Sequence, residues 1–272
     1  MTTKHVKRVA VGGLGAIGSV LAKKLDEGID GLELVAVSGR DVAKAERFVA
    51  ILKKQVPVLA LDKLAEVADI VVEAAPAAVM DQIAIPTLKA GRWLVMSSVG
   101  ALMRSPHYVD LAREHGGRIL CPTGALIGLD AMLAAREGKI NSLKMITRKP
   151  PGGLEGAPHL VANNISLKGL KEPMCVFSGT ATEAIKGFPA NVNVAVALGL
   201  AGIGPDQTNI EIWADPGVDR NIHRIEVDAD SARFSMMIEN VPSEENPRTG
   251  KITALSVIAL LRKLASPLAV GT

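Results

Sequence analysis

An apolar strand, Val6-Lys7-Arg8-Val9-Ala10-Val11, runs into Gly13-Leu14-Gly15-Ala16-Ile17-Gly18 and then into a segment where Leu14, Ile17, Leu21 and Leu25 recur at helical spacing. Gly13 permits a tight turn, Gly15 lets bare backbone approach a pyrophosphate, and Gly18 lets helix and strand pack closely. Phosphates then rest on the free amides at the helix start, around Ala16 and Ile17. Leu32 to Val37 follows as a second strand. Strand, glycine turn, helix and strand in this order form a dinucleotide-binding fingerprint, and the cofactors it admits are NAD and NADP.

Downstream, short apolar runs alternate with helical patterns. Val56 to Ala60, Asp69 to Glu73, Trp93 to Met96 and Arg118 to Leu120 read as strands, and 41–54, 61–67, 76–90 and 103–115 as helices. Continuous apolar strands between helices imply a parallel sheet covered on both faces. The fold class is therefore α/β: a Rossmann-type doubly wound domain over residues 1–123. Beyond it Thr123 to Gly138 reads as a helix. From Asn141 onward longer strands are separated by Pro/Gly-rich turns such as Lys149-Pro150-Pro151-Gly152-Gly153. Asn209 to Trp213, His223 to Val227 and Arg233 to Val241 read as antiparallel neighbours, giving a second α+β domain over 124–248 on a mostly antiparallel sheet. A last helix, about 249–264 within the terminal segment 249–272, carries Ile252, Leu255, Ala259 and Leu260 on one stripe and is expected to pack back on the first domain.

Bulk properties narrow the partners. The 272 residues carry 31 basic and 28 acidic side chains, a net charge of +3, with no basic run interleaved with aromatics, so a small-molecule substrate is expected and a nucleic acid is not. Cys121 and Cys175 have no metal-ligand spacing, which implies no metal site and suits a reducing, cytoplasmic setting. The basic and apolar stretch Lys4 to Ala22 does not read as a secretion signal, because glycines interrupt it and the helix continues into Lys23-Lys24. The next apolar run, Val194 to Gly204, is about half a membrane span. Hydrophobic residues at 48% leave more apolar surface than a monomer easily hides, which points to a homodimer joined through the second domain.

The ribose selector of such domains sits at the end of the second strand, where an acid bonds the 2′-hydroxyl. Here that end reads Val37-Ser38-Gly39-Arg40-Asp41: Ser38 and Arg40 offer a 2′-phosphate a hydroxyl and a cation, so NADP is accepted beside NAD, while Asp41 suits a helix cap. Two further strand ends face the nicotinamide half, with Ala75 and Pro76 in one and Ser97 in the other. Of five histidines, His5, His107, His115 and His159 read as surface residues. Strand alternation puts His223 on an inner face with Ile225 and Val227, and Arg224 and Glu226 outside, as either a core histidine or an acid–base group. Cys121 reads as a small buried cysteine rather than a thiol nucleophile, having no base beside it in sequence.

Four motifs are more specific: Pro122-Thr123-Gly124-Ala125-Leu126-Ile127-Gly128-Leu129-Asp130, Phe188-Pro189-Ala190-Asn191-Val192-Asn193-Val194-Ala195, Trp213-Ala214-Asp215-Pro216 followed by Arg220-Asn221-Ile222-His223, and Glu239-Asn240-Val241-Pro242 with Asn246-Pro247-Arg248-Thr249. With the glycine fingerprint they make the chain resemble the L-aspartate dehydrogenases over nearly its whole length. The resemblance implies that His223 is catalytic and that Ala125 and Asn193 contact the nicotinamide cofactor. It implies NAD(P)-dependent oxidation of L-aspartate through iminosuccinate to oxaloacetate and ammonia, or supply of iminosuccinate to NAD biosynthesis. Arg148, Lys149, Arg248 and the amides after Asn191 are candidate donors to the two substrate carboxylates. The competing readings are an oxidoreductase resembling homoserine dehydrogenase or dihydrodipicolinate reductase, and a cofactor-sensing protein without turnover.

Overall fold

The apolar runs of the first part of the chain become one parallel sheet. In the computed structural model, which describes residues 6–189, 192–244 and 250–271, the order is β1 Lys7–Gly12, α1 Ala16–Glu27, β2 Leu32–Ser38, α2 Val42–Val49, α3 Leu64–Val67, β3 Ile70–Glu73, α4 Met80–Lys89, β4 Trp93–Met96, α5 His107–His115 and β5 Arg118–Leu120. The strands lie in the order β2-β1-β3-β4-β5, and every pairing is parallel. Period-two alternation splits each strand between two cores. Val9, Val11, Ile70, Val72 and Val95 enter one with Leu21 and Leu25 of α1. Ala10, Val71, Leu94 and Met96 enter the other with Ile83 and Leu88 of α4 and Tyr108 of α5. Such strands have no solvent face, which is why they read as unbroken apolar runs.

The chain divides into two compact units, residues 1–122 with 253–270 and residues 123–252 with 271–272. The second contains α6 Leu129–Arg136, β6 Ile140–Lys149, α7 Pro158–Ala162, β7 Met174–Thr180, α8 Ala181–Gly187, α9 Val192–Ala201, β8 Asn209–Ala214, β9 Asn221–Ala229 and β10 Arg233–Asn240. Its five strands are ordered β10-β9-β6-β8-β7. Three pairings are antiparallel and β6–β8 is parallel. A final helix, α10 Lys251–Ala265, sends Val257, Ile258 and Leu261 into the same core as α1.

Several expectations are corrected. Asn209 to Trp213 and His223 to Val227 are not neighbours, because β6 lies between β8 and β9, whereas β9 and β10 do pair antiparallel as expected. Val56 to Ala60 makes a single parallel bridge, Val58 to Val37, rather than a strand, and Pro57 has no N–H to extend it. The helix expected over 41–54 stops at Val49, and the Asp26 carboxylate accepts from the Lys53 and Lys54 amides at 2.8 and 2.9 Å instead. The helix expected from Thr123 begins only at Leu129, since Gly124 and Gly128 take positive φ of 62° and 69°. In α10 the buried stripe is Ala254, Val257, Ile258 and Leu261, while Ile252, Leu255 and Ala259 are exposed. Both stripes are apolar, so periodicity alone does not choose between them.

Candidate active site

The fingerprint residues sit between β1 and α1, where the strand order reverses direction. Gly13 has φ +109°, and a Cβ there would lie 2.6 Å from the Ala74 carbonyl oxygen. A Cβ on Gly18 would lie 1.8 Å from the Gly13 carbonyl oxygen, so helix and turn touch through bare backbone. Around Gly15 a Cβ would meet nothing within 4 Å, which leaves open space above the turn. Gly15 caps α1 without a side chain, so no side-chain acceptor occupies the first-turn amides of Ala16, Ile17 and Gly18. Open space facing free amides at a helix start fits a pyrophosphate.

The other strand ends of this unit flank that turn. Ser38 is buried at the end of β2, and its carbonyl accepts from Gly13 N–H at 2.9 Å. Arg40 is exposed, with no ion-pair or hydrogen-bond partner among the described residues, and Asp41 caps α2 by accepting from Lys44 N–H at 3.0 Å. Ala75 and Pro76 follow β3, and Ser97 follows β4, its hydroxyl oxygen buried without a partner among the described residues.

Glu73 organises those last two loops. Only 1% exposed, it accepts from the Ala75 amide at 3.1 Å, the Ser98 amide at 2.8 Å and the Ser98 hydroxyl at 3.0 Å. Burial pushes its carboxyl above the usual range, and the Ser98 and Ala75 donors oppose that shift. One side chain therefore fixes the backbone after both β3 and β4.

In the second unit the register of the sheet assembles a polar row. On β6, Leu143, Met145, Thr147 and Lys149 share the buried parity, and on β9 His223, Ile225 and Val227 do. Thr147 and His223 are cross-strand partners, and Thr147 Oγ1 lies 3.0 Å from His223 Nδ1 in a hydrogen bond between two side chains that are each 3% exposed. Burial first, and the positive charge of Lys149 second, push the imidazole down to about 3, so it is neutral at ordinary pH. One step along the strands, Asn240 pairs with Asn221, and Lys149 falls level with them because Arg148 pairs with Ile222. Lys149, Asn221 and Asn240 line a cavity of about 490 Å³ walled also by the loop from Gly152 to Pro158 and by Gly250. Arg148 has the opposite parity, paired with Asp215 at 2.9 Å and set over the Trp213 ring.

Ala125 lies in the loop before α6, its carbonyl accepting from Asn240 Nδ2 at 3.2 Å. Asn193 is exposed in the first turn of α9. His5, Asn191 and Arg248 fall outside the described residues. His159 is not the surface loop histidine expected: it stands on α7 with its ring 5.4 Å from Phe177 and 5.3 Å from Phe188, because the Pro158 turn folds it onto an aromatic cluster. Cys121 is likewise not shut away as expected. It keeps surface open to solvent beyond β5, yet desolvation and then the Glu73 carboxylate push its thiol up to about 12, far from a thiolate.

A family model described as aspartate dehydrogenase, C-terminal, matches residues 130–264, and one described as homoserine dehydrogenase, NAD binding domain, matches residues 13–122. The chain is 60% identical to an L-aspartate dehydrogenase of Bradyrhizobium diazoefficiens over 100% of its own length and 96% of the relative's. It is 54% identical to L-aspartate dehydrogenase 3 of Bordetella bronchiseptica over 100% of both chains. The chain belongs to the L-aspartate dehydrogenase family. The crystal structure of the Thermotoga maritima aspartate dehydrogenase superimposes with a TM-score of 0.74 at 27% identity, covering 98% of this chain and 100% of that one. A homoserine dehydrogenase from Thiobacillus denitrificans, at 14% identity and a TM-score of 0.62 over 95% of this chain and 73% of that one, shares the fold. The match to an NAD binding domain over residues 13–122 fits that family, and the enzyme is an oxidoreductase of the α/β class.

Within this member of the family, sequence reading passed over Glu73, Thr147 and Asn240 as individual groups. Each had a signal. Glu73 is the lone acid closing the apolar strand Ile70-Val71-Val72, and Thr147 and Asn240 are polar residues on inward parity.

Proposed function

We propose that this chain oxidises L-aspartate with NAD or NADP to iminosuccinate and, after hydration, to oxaloacetate and ammonia, with His223 as its proton acceptor. Gly13, Gly15, Ala16, Ile17 and Gly18 hold the pyrophosphate on backbone amides, Ser38 and Arg40 receive the adenosine ribose and its 2′-phosphate, and Ala75, Pro76, Ser97, Ala125 and Asn193 contact the nicotinamide half. When bound, the coenzyme supplies the hydride acceptor. The chain supplies orientation and proton transfer. The tautomer of His223 that donates Nδ1–H to Thr147 leaves Nε2 as the basic nitrogen, able to take a proton from the substrate ammonium and later from the water that adds to the imine. The observation that carries this reading is a buried imidazole held at one nitrogen by Thr147, in a chain of this family. The product iminosuccinate suits a role in NAD biosynthesis, and a homodimer in the cytoplasm is the proposed working form.

The deciding experiment compares wild type with His223→Ala, using L-aspartate and either coenzyme, with homoserine as the control. A positioned general base is worth roughly 10² to 10⁴ in turnover, so the variant should lose that much while NAD(P)H affinity and thermal stability hold. A folded, coenzyme-binding variant that keeps more than about a tenth of wild-type turnover removes the role. Coenzyme binding by wild type without turnover of any amino acid would instead favour a sensor.

A further inference from the structure

We propose that Glu73 is a positioning residue for the coenzyme: its carboxylate locks the loops after β3 and β4 into the shape that receives the nicotinamide end, and leaves the adenosine end untouched. This rests on the coenzyme placement proposed above, and it gives a task to a buried acid that the proton chemistry does not use.

Glu73 ends β3, the middle strand of its sheet, paired with Gly12 of β1 on one side and Met96 of β4 on the other. The strand order reverses between β1 and β3, and in open sheets a coenzyme lies in the crevice at the carboxyl ends beside such a reversal. An acid is almost never fully buried there or elsewhere without partners, and every partner of Glu73 is a donor. Oε1 accepts from the Ala75 amide at 3.1 Å and the Ser98 hydroxyl at 3.0 Å. Oε2 accepts from the Ser98 amide at 2.8 Å, and the Ser97 amide donates to the same carboxylate. Both oxygens are thus engaged, and one anion ties together two loops that no strand pairing joins. A carboxylate is the form these donors need, since an added proton would face an N–H.

Two further observations separate this lock from general support of the fold. Ala74 is fixed to the glycine turn without Glu73: its amide donates to the Gly12 carbonyl at 2.9 Å, and a Cβ on Gly13 would lie 2.6 Å from its carbonyl oxygen. The pyrophosphate turn therefore keeps its shape when the acid is altered, and the lock begins one residue later, at Ala75. Beyond β4, the Ser97 hydroxyl oxygen is buried without a partner among the described residues, so that loop carries a polar group whose burial opposes its own conformation. The Ser97 and Ser98 amide bonds to Glu73 offset this cost. Glutamine has the length of glutamate but a single acceptor oxygen, so its NH₂ must point at an N–H of one loop or the other.

The test uses the full-length protein and two ligands, NADH and ADP-ribose, the second lacking the nicotinamide. Wild type should bind NADH more tightly by calorimetry, the difference being the share of the nicotinamide end. Glu73→Gln should weaken NADH by about tenfold or more, the worth of a lost hydrogen bond to a charged group, while ADP-ribose stays within about threefold. In the coenzyme-free variant, amide hydrogen exchange should accelerate over 75–79 and 97–103 and not over 13–18. Ser98→Ala keeps the acid and removes one donor; it should move the same readouts by a smaller factor, and it decides the matter if Glu73→Gln does not fold. Equal losses of NADH and ADP-ribose would make Glu73 a support of the whole domain and overturn the proposal, as would NADH affinity within about threefold of wild type or a wild type that binds the two ligands alike. A wild type that binds both ligands as expected but does not oxidise aspartate removes the reaction, and the same two titrations still decide Glu73.

Discussion

His223 owes its chemistry to two neighbours rather than to its own type. Thr147 holds Nδ1 at 3.0 Å, and burial with the Lys149 charge keeps the ring uncharged. This has a cost in acid. The native ring resists protonation until about pH 3, while the unfolded chain takes the proton near the ordinary 6.5. Stability from the neutral ring is therefore complete above pH 6.5 and is lost as pH falls from there toward 3, up to about 5 kcal/mol if the whole shift acts. Calorimetry from pH 7.5 to 4.5 should show Tm falling in wild type and a shallower fall in His223→Gln; equal slopes would mean that His223 does not govern acid stability. The inward parity of His223 was legible in the alternation of Ile222 to Val227. Its partner was not, because Thr147 meets it through a pairing 76 residues distant in sequence. Sequence leaves Lys149, Arg148 and Arg248 equal as candidates; one residue of parity, visible once β6 has a register, separates the buried amine of Lys149 from the Arg148 guanidinium tied to Asp215.

At the scale of elements, sequence located the parallel strands well because the central ones, β3 and β4 above all, are buried on both faces and read as apolar blocks. It failed where a strand's neighbour is remote: β8 joins β6 in parallel only after β7 and three helices have intervened, and no local pattern encodes that. The glycine turn was legible for the opposite reason, since each requirement is local and steric. The end of β2 is the element whose function can be read most directly. Ser38 is fixed by its carbonyl bond to Gly13, Asp41 is engaged at the start of α2, an arrangement worth about 1 kcal/mol, and Arg40 between them is left exposed. Arg40→Asp should raise KM for NADP by at least tenfold while moving NAD little, because it exchanges a phosphate partner for a carboxylate that repels the 2′-phosphate and can bond a 2′-hydroxyl. Steady-state assays with both coenzymes decide it, and equal movement of the two constants would remove Arg40 as selector.

At the scale of the whole molecule, the second unit leaves large apolar side chains exposed. Val161, Leu200, Met237 and Val241 are 66, 41, 57 and 51% exposed, while the outward parity of β6, β8 and β9 carries ion pairs suited to water, Lys144 with Glu211 and Arg224 with Glu226. Met237 lies on the edge strand β10 and Val241 follows it, whereas Val161 and Leu200 stand on α7 and α9. An unpaired edge bearing an exposed apolar residue is a surface that a second copy can cover by two-fold pairing, and proteins that keep such edges single place charge or proline there. Light scattering at micromolar concentration should give about twice the 28.5 kDa of one chain. Met237→Lys should shift that mass toward the monomer, since a lysine opposite its symmetry mate adds like-charge repulsion to a lost apolar contact. A wild-type mass of one chain would remove the dimer; a dimer undisturbed by Met237→Lys would place its interface away from β10.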